Sequence, residues 1–173
     1  RHGRGGAVDL DRIGLADLAA DEAHGALGHV DREFAGLRTG VVNELVEPHD
    51  TPVGAQIRNS NGYQLCAQLE RMGAEPVYGG IVADTVDALD AAMKQAAQDS
   101  DLVILSGGVS MGAYDLVPGV LQVSGFELLF RSVAMQPGRP TLFGRCGSVY
   151  CCGLPGNPVS TFVVFELLLK PFL

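Results

Sequence analysis

The chain has 173 residues, 47% apolar and 18% charged, with 23 Gly and 9 Pro. That composition suits one globular domain whose core needs neither disulfide nor metal, and it excludes a disordered chain. A formal charge of −8 excludes a general nucleic-acid binder, which needs a basic footprint.

The charge is uneven. Residues 1–125 carry eight Lys/Arg against 18 Asp/Glu, whereas residues 126–173 carry four against two. An anionic small molecule finds its better field in that last part. The cysteines, Cys66, Cys146, Cys151 and Cys152, form no C-x-x-C pair. They read as free thiols in a reducing cytosol rather than as a zinc site, so a cytoplasmic location is expected. The polar opening Arg1-His2-Gly3-Arg4 carries no signal-peptide pattern. Glu166, Lys170 and Pro171 break the apolar C-terminal run, so no membrane span is expected.

Residues 1–38 are polar, with Leu10, Ile13, Leu15, Leu18 and Leu27 loosely spaced as on a helix. They read as a helical N-terminal segment ahead of a domain at 39–173. His24 and His29 do not share a helical face, so a solvated helix is a better reading than a metal pair. Asn59-Ser60-Asn61 supplies cap candidates for a helix running through Leu65, Leu69 and Met72 to a stop at Gly73. Val77–Val82 reads as a strand. Asp84 and Thr85 cap a helix with Val86, Leu89, Met93 and Ala97 on one stripe. Asp101–Leu105 is a continuous apolar run of the kind a central parallel strand shows when covered on both faces. A helix is predicted near Leu116–Val123, then strands within Phe126–Met135, Thr141–Phe143 and Ser148–Cys152, and a last helix from Pro158. The alternation predicts an α/β protein, a three-layer sandwich around a mostly parallel sheet. In such sheets ligands bind beyond the carboxyl ends of the strands.

Two loops fall there. Ser106-Gly107-Gly108-Val109-Ser110-Met111-Gly112 follows the buried run. Its paired Gly admit positive φ and close backbone approach, and Ser106 and Ser110 add hydroxyls. It is neither a Walker A loop nor a G-x-G-x-x-G fingerprint, and alone it reads equally well as a tight turn. The second, Gly153-Leu154-Pro155-Gly156-Asn157-Pro158-Val159-Ser160, puts an N-cap at Asn157 and a proline at Pro158, where no N–H is needed. Two such loops on one edge point to an anion pocket. Met135-Gln136-Pro137-Gly138-Arg139-Pro140 is a stiff loop presenting Arg139, whose guanidinium can grip an oxyanion. Glu44, Asp84 and Asp115 are the candidate carboxylates. Asp84 and Asp115 each suit a helix start as well as a divalent metal beside phosphate.

Taken in order, Asn43–Pro48, Gln56–Asn61, Gly80–Asp84, Ser106–Gly112, Asp115, Met135–Pro140 and Gly153–Ser160 resemble the molybdopterin molybdenumtransferases of the MoeA and gephyrin E-domain type. The resemblance covers about residues 39–173, a central domain of the family only. It implies the fold of the MoaB and MogA proteins. The activity implied is insertion of molybdate into adenylylated molybdopterin with release of AMP, dependent on Mg²⁺, in a homodimer. By the same resemblance Glu44, Asp84 and Asp115 fall at catalytic positions, with Asp84 and Asp115 handling the metal. Ser60, Asn61, Ser106, Gly107, Gly108, Ser110 and the turn Pro155, Gly156, Asn157 and Pro158 fall on the pterin-nucleotide site. Gln136 and Arg139 stand where the family usually carries two Lys, one charge fewer. Two further readings compete: a binding module without turnover, and a scaffold or oligomerisation domain.

Overall fold

The computed structural model describes residues 33–39, 44–109 and 116–173, with the side chains of 33–39 left aside. Strands β1 (Glu33–Thr39), β4 (Glu75–Val82), β5 (Leu102–Ser106), β6 (Glu127–Phe130), β7 (Leu142–Cys146) and β8 (Val149–Leu154) form one sheet in the order β4-β1-β5-β8-β7-β6. The pairs β4–β1, β1–β5 and β5–β8 are parallel, and only β7 runs against its neighbours. A two-stranded ribbon, β2 (Leu45–Val46) with β3 (Ile57–Arg58), stands apart from this sheet.

The helices are α1 (Asn61–Glu70), α2 (Val86–Asp99), α3 (Val117–Val123), α4 (Pro158–Val164) and α5 (Lys170–Phe172), with a π-helical stretch at Phe165–Leu169. Their apolar stripes cover both faces of the sheet. Val103 and Leu105 pack with Leu89 and Met93 of α2 and Val120 and Leu121 of α3. Leu102 and Ile104 pack with Leu65 and Leu69 of α1 and Val164 and Phe165. The period-two alternation of one fully buried strand therefore fills two cores, which makes the three-layer α/β/α sandwich. The predicted strand at 101–105 and the helices from Asn61, Val86, Val117 and Pro158 are all present.

Two expectations are corrected. Residues 33–38 are not helical: they belong to β1, between β4 and β5, so the sheet crosses the expected 38/39 boundary. The remainder of that segment, His24 and His29 included, lies outside the described residues. The strand expected within Phe126–Met135 is β6, whose pairing with β7 shifts register between Leu128 and Phe130. The α2 stripe buries Leu89, Met93 and Ala96, while Val86 is exposed at its outer end.

Cys151 and Cys152 face opposite cores, as adjacent strand residues must. Burial pushes the Cys152 thiol up to about 12 and raises Cys151 as well, with the neighbouring thiol adding to the latter. Thiolate is the reactive form, so at pH 8 iodoacetamide is expected to modify Cys66 and Cys146, which are partly exposed, and to spare the other two. Intact mass reads the count. Four labels on the folded chain would contradict this burial.

Candidate functional site

Because β5 and β8 are parallel neighbours, the two glycine loops leave the sheet side by side. Ser106 pairs with Leu154 in register, and the Gly107 N–H donates to the Leu154 carbonyl at 3.0 Å. Gly107 and Gly108 hold φ of +90° and +65°, values that side-chain-bearing residues avoid. A Cβ on Gly156 would stand 3.5 Å from the Gly107 Cα. The loops thus touch, as a shared pocket requires.

Buried polar side chains fix this junction. The Ser106 hydroxyl donates to the Pro155 carbonyl at 3.1 Å, and Thr161 Oγ1 reaches the same carbonyl at 2.6 Å from the first turns of α4. Asn61 Nδ2, at the start of α1, donates to Ser106 Oγ at 2.7 Å and to the Gly156 carbonyl at 2.8 Å. A carbonyl can only accept, so the amide nitrogen must be the atom facing Gly156. Asn61 Oδ1 is consequently turned away from it, buried and without a donor among the described residues. An unpaired buried acceptor costs about 1–3 kcal/mol. Asn59 is 2% exposed and its Nδ2 is likewise unpaired. Ser60 is the α1 N-cap, exposed, and its side chain makes no capping bond.

Asn157 does cap α4. Its Oδ1 accepts from the N–H groups of Val159 and Ser160 at 3.0 and 3.1 Å, and Pro158 takes the first helical turn. Asn157→Ala is expected to lower unfolding free energy by about 1 kcal/mol, read by denaturant melts; an unchanged midpoint would mean the cap is dispensable.

The third loop reaches the same edge because β7 is antiparallel to β8, so Leu142 pairs with Gly153. Val133 and Thr141 N–H groups both donate to the Arg139 carbonyl, and Thr141 Oγ1 donates to the Gly138 carbonyl at 2.7 Å. These bonds close the loop and leave Gln136 and Arg139 exposed. Among the described residues no hydrogen bond joins either side chain to the glycine loops.

The carboxylates are less gathered. Asp84 follows β4, which lies two strands from β5, or about 10 Å at ordinary strand spacing. It does not cap α2: Thr85 does, accepting from the Ala88 N–H at 3.4 Å. Asp84 is half-buried and makes no hydrogen bond or ion pair among the described residues. Glu44 is exposed beside the β2–β3 ribbon, where its carbonyl accepts from Ile57 N–H. Asp115 and Ser110 lie outside the described residues. Among those described, no three His, Cys, Asp or Glu side chains form a metal cage.

Some side chains that shape this region escaped the sequence reading. Tyr78 on β4 donates its hydroxyl to Glu47 at 2.7 Å, and the Tyr63 ring lies 4.9 Å from the Tyr78 ring. Glu47 thereby ties the ribbon to the main sheet. Asn59 and Thr161 were also missed. Asn59 sits within a cap-like triplet that draws attention to Ser60 instead, and Thr161 has no sequence signal.

Known proteins are similar to this chain. A family model described as "Probable molybdopterin binding domain" matches residues 41–173. A molybdopterin molybdenumtransferase of Bacillus subtilis is 35% identical over 161 residues, 92% of this chain and 37% of that protein. The molybdopterin biosynthesis MoeA protein from Pyrococcus horikoshii superposes with a TM-score of 0.72 at 30% identity, over 82% of this chain and 34% of that one. The molybdopterin biosynthesis Mog protein from Mycobacterium ulcerans, at 19% identity, shares the fold, with a TM-score of 0.58 over 81% of this chain and 94% of that one. The chain spans little more than a third of the length of the transferase it matches. With its sandwich and paired loops inside the matched span, the chain belongs to the molybdopterin-binding domain family.

Proposed function

We propose that the paired loops at the ends of β5 and β8 hold an adenylylated molybdopterin, and that the chain serves molybdenum cofactor biosynthesis as the binding domain of a molybdenum insertase. The observation that carries this reading is the contact between the loops, with the Gly107 N–H bonded to Leu154 and Asn61 bridging Ser106 to Gly156. Ser60, Asn61, Ser106, Gly107, Gly108, Ser110 and Pro155–Pro158 surround the nucleotide. Gln136 and Arg139, on the adjoining loop, face molybdate, with Arg139 supplying the charge.

The reaction proposed for the whole protein is transfer of molybdate to the pterin with release of AMP. Arg139 would draw the tetrahedral dianion to the edge where the loops end, a form of positioning that shortens the path to reaction. Glu44, Asp84 and Asp115 are the acids proposed to act on the reacting groups. Mg²⁺ is the expected metal, with Asp84 and Asp115 as its carboxylates. When bound it would offset phosphate charge, the other ligands being substrate oxygens and water. The described residues do not by themselves build a metal site, so no step is assigned to the ion. A homo-oligomer is proposed with this activity. Among the described residues no helix is long and apolar enough to cross a membrane.

Titration calorimetry with AMP tests the binding step, and AMP release from adenylylated molybdopterin plus molybdate tests turnover. Binding without release would make the chain a module that holds the pterin only. An absence of AMP binding would overturn the site.

A further inference from the structure

Asn61 occupies the first position of the ten-residue helix α1, whose N-cap Ser60 contributes no side-chain bond. It is 9% exposed, and both hydrogens of its amide nitrogen are engaged, one by Ser106 Oγ and one by the Gly156 carbonyl. This fixes the rotamer and the sense of the amide. The oxygen on the same group is buried and has no donor. Buried acceptors are ordinarily paired, and none of the described residues supplies the missing N–H or O–H. An unpaired donor, Asn59 Nδ2, lies two residues away at the same helix start. The glycine loops have the opposite bias, since backbone N–H groups and hydroxyls there offer donors to an anion.

We propose that Asn61 is the specificity-determining residue of this site: its amide nitrogen straps the two loops together, and its free oxygen accepts a hydrogen bond from an N–H or O–H group on the bound molecule. The site then selects ligands that carry a hydrogen-bond donor next to their anionic part, and discriminates against bare oxyanions. This rests on the binding role proposed above for the paired loops. The two functions of Asn61 separate cleanly. Ser106→Ala loosens the strap and keeps the acceptor, whereas Asn61→Leu keeps the bulk and removes both.

The test uses two probes on the whole chain, AMP, which has amino and ribose hydroxyl donors, and inorganic sulfate, which is fully deprotonated at neutral pH and has none. The expected result is that Ser106→Ala weakens both probes by similar factors. Asn61→Leu weakens AMP about 10-fold more than sulfate, the scale of one lost hydrogen bond in a buried site. An equal effect of Asn61→Leu on the two probes would overturn the proposal. Should Asn61→Leu fail to fold, the wild-type chain decides with AMP analogues lacking either the 6-amino hydrogens or the ribose hydroxyls. One of these must bind about 10-fold more weakly than AMP, and equal binding of all of them would overturn the proposal. Wild-type chain that binds neither AMP nor sulfate would instead remove the binding role itself.

Discussion

Gly138→Ala is expected to lower the thermal unfolding midpoint by roughly 10 °C, the largest single-residue stability effect predicted here. Gly138 is buried at φ +117°, a region in which an L side chain is strained by about 1–3 kcal/mol. A Cβ there would also run into the Cγ2 of Val164 and stand 2.8 Å from the Met135 methyl. Met135 can swing aside, but Val164 is fully buried in the core beneath α4 and cannot. Overpacking adds a further 1–3 kcal/mol or so. A sum of about 2–6 kcal/mol moves the midpoint by 2–4 °C per kcal/mol in a chain of this size. Gly73→Ala is the control. Its φ is +82° but nothing lies within 4 Å of the added Cβ, so strain acts there without the clash. Equal losses from the two substitutions would show that packing against Val164 is irrelevant. Scanning calorimetry reads both.

The same contrast between local and long-range causes explains what the sequence disclosed. The run Leu102–Leu105 was legible because a strand covered on both faces must be apolar at every position, a pattern few other elements produce. The helices α1 and α2 were legible from their spacing and from Gly73 and Thr85 at their ends. By contrast, β1 reads Glu-Phe-Ala-Gly-Leu-Arg-Thr. Charges flank it, Gly interrupts it, and its pairing slips between Gly36 and Arg38, so neither alternation nor a full apolar run marks it. Its place in the sheet comes from two neighbours, β4 and β5, that are distant in sequence. The strands of the β2–β3 ribbon have two residues each, too few for any periodicity to register.

At the site, the backbone features were the readable part. Paired Gly after a buried strand and Asn-Pro at a helix start are local signals, and both loops lie where those signals put them. Side-chain partnerships across the fold were not readable. Nothing in Asn61 alone shows that it bridges Ser106 and Gly156, residues 45 and 95 positions away. Asp84 was misread as a cap since Asp and Thr are both good N-caps, and only the backbone decides between adjacent candidates. The extended conformation at Thr85 gave it the role.

Gly107→Val is expected to reduce AMP affinity at least about 30-fold while the chain still folds. Gly107 holds φ +90°, which a β-branched residue tolerates poorly. Relaxation of that strain must move the backbone, and the Gly107 N–H that bonds Leu154 moves with it. The Gly107 backbone also stands close to the second loop, since a Cβ on Gly156 would lie 3.5 Å from the Gly107 Cα, so any shift at Gly107 disturbs that contact. Both effects separate the loops, so the loss falls on binding. Gly147→Val isolates the strain. Gly147 has φ +59° with open space around it, in the turn that joins β7 to β8 at the opposite edge of the sheet. Its destabilisation is expected to be about 1–3 kcal/mol, as for Gly107, yet AMP binding is expected to stay within about twofold of wild type. If both variants lose AMP affinity alike, binding follows overall stability and the loops have no special role. If neither does, the nucleotide lies elsewhere. Only a loss confined to Gly107→Val ties recognition to the edge where β5 and β8 end.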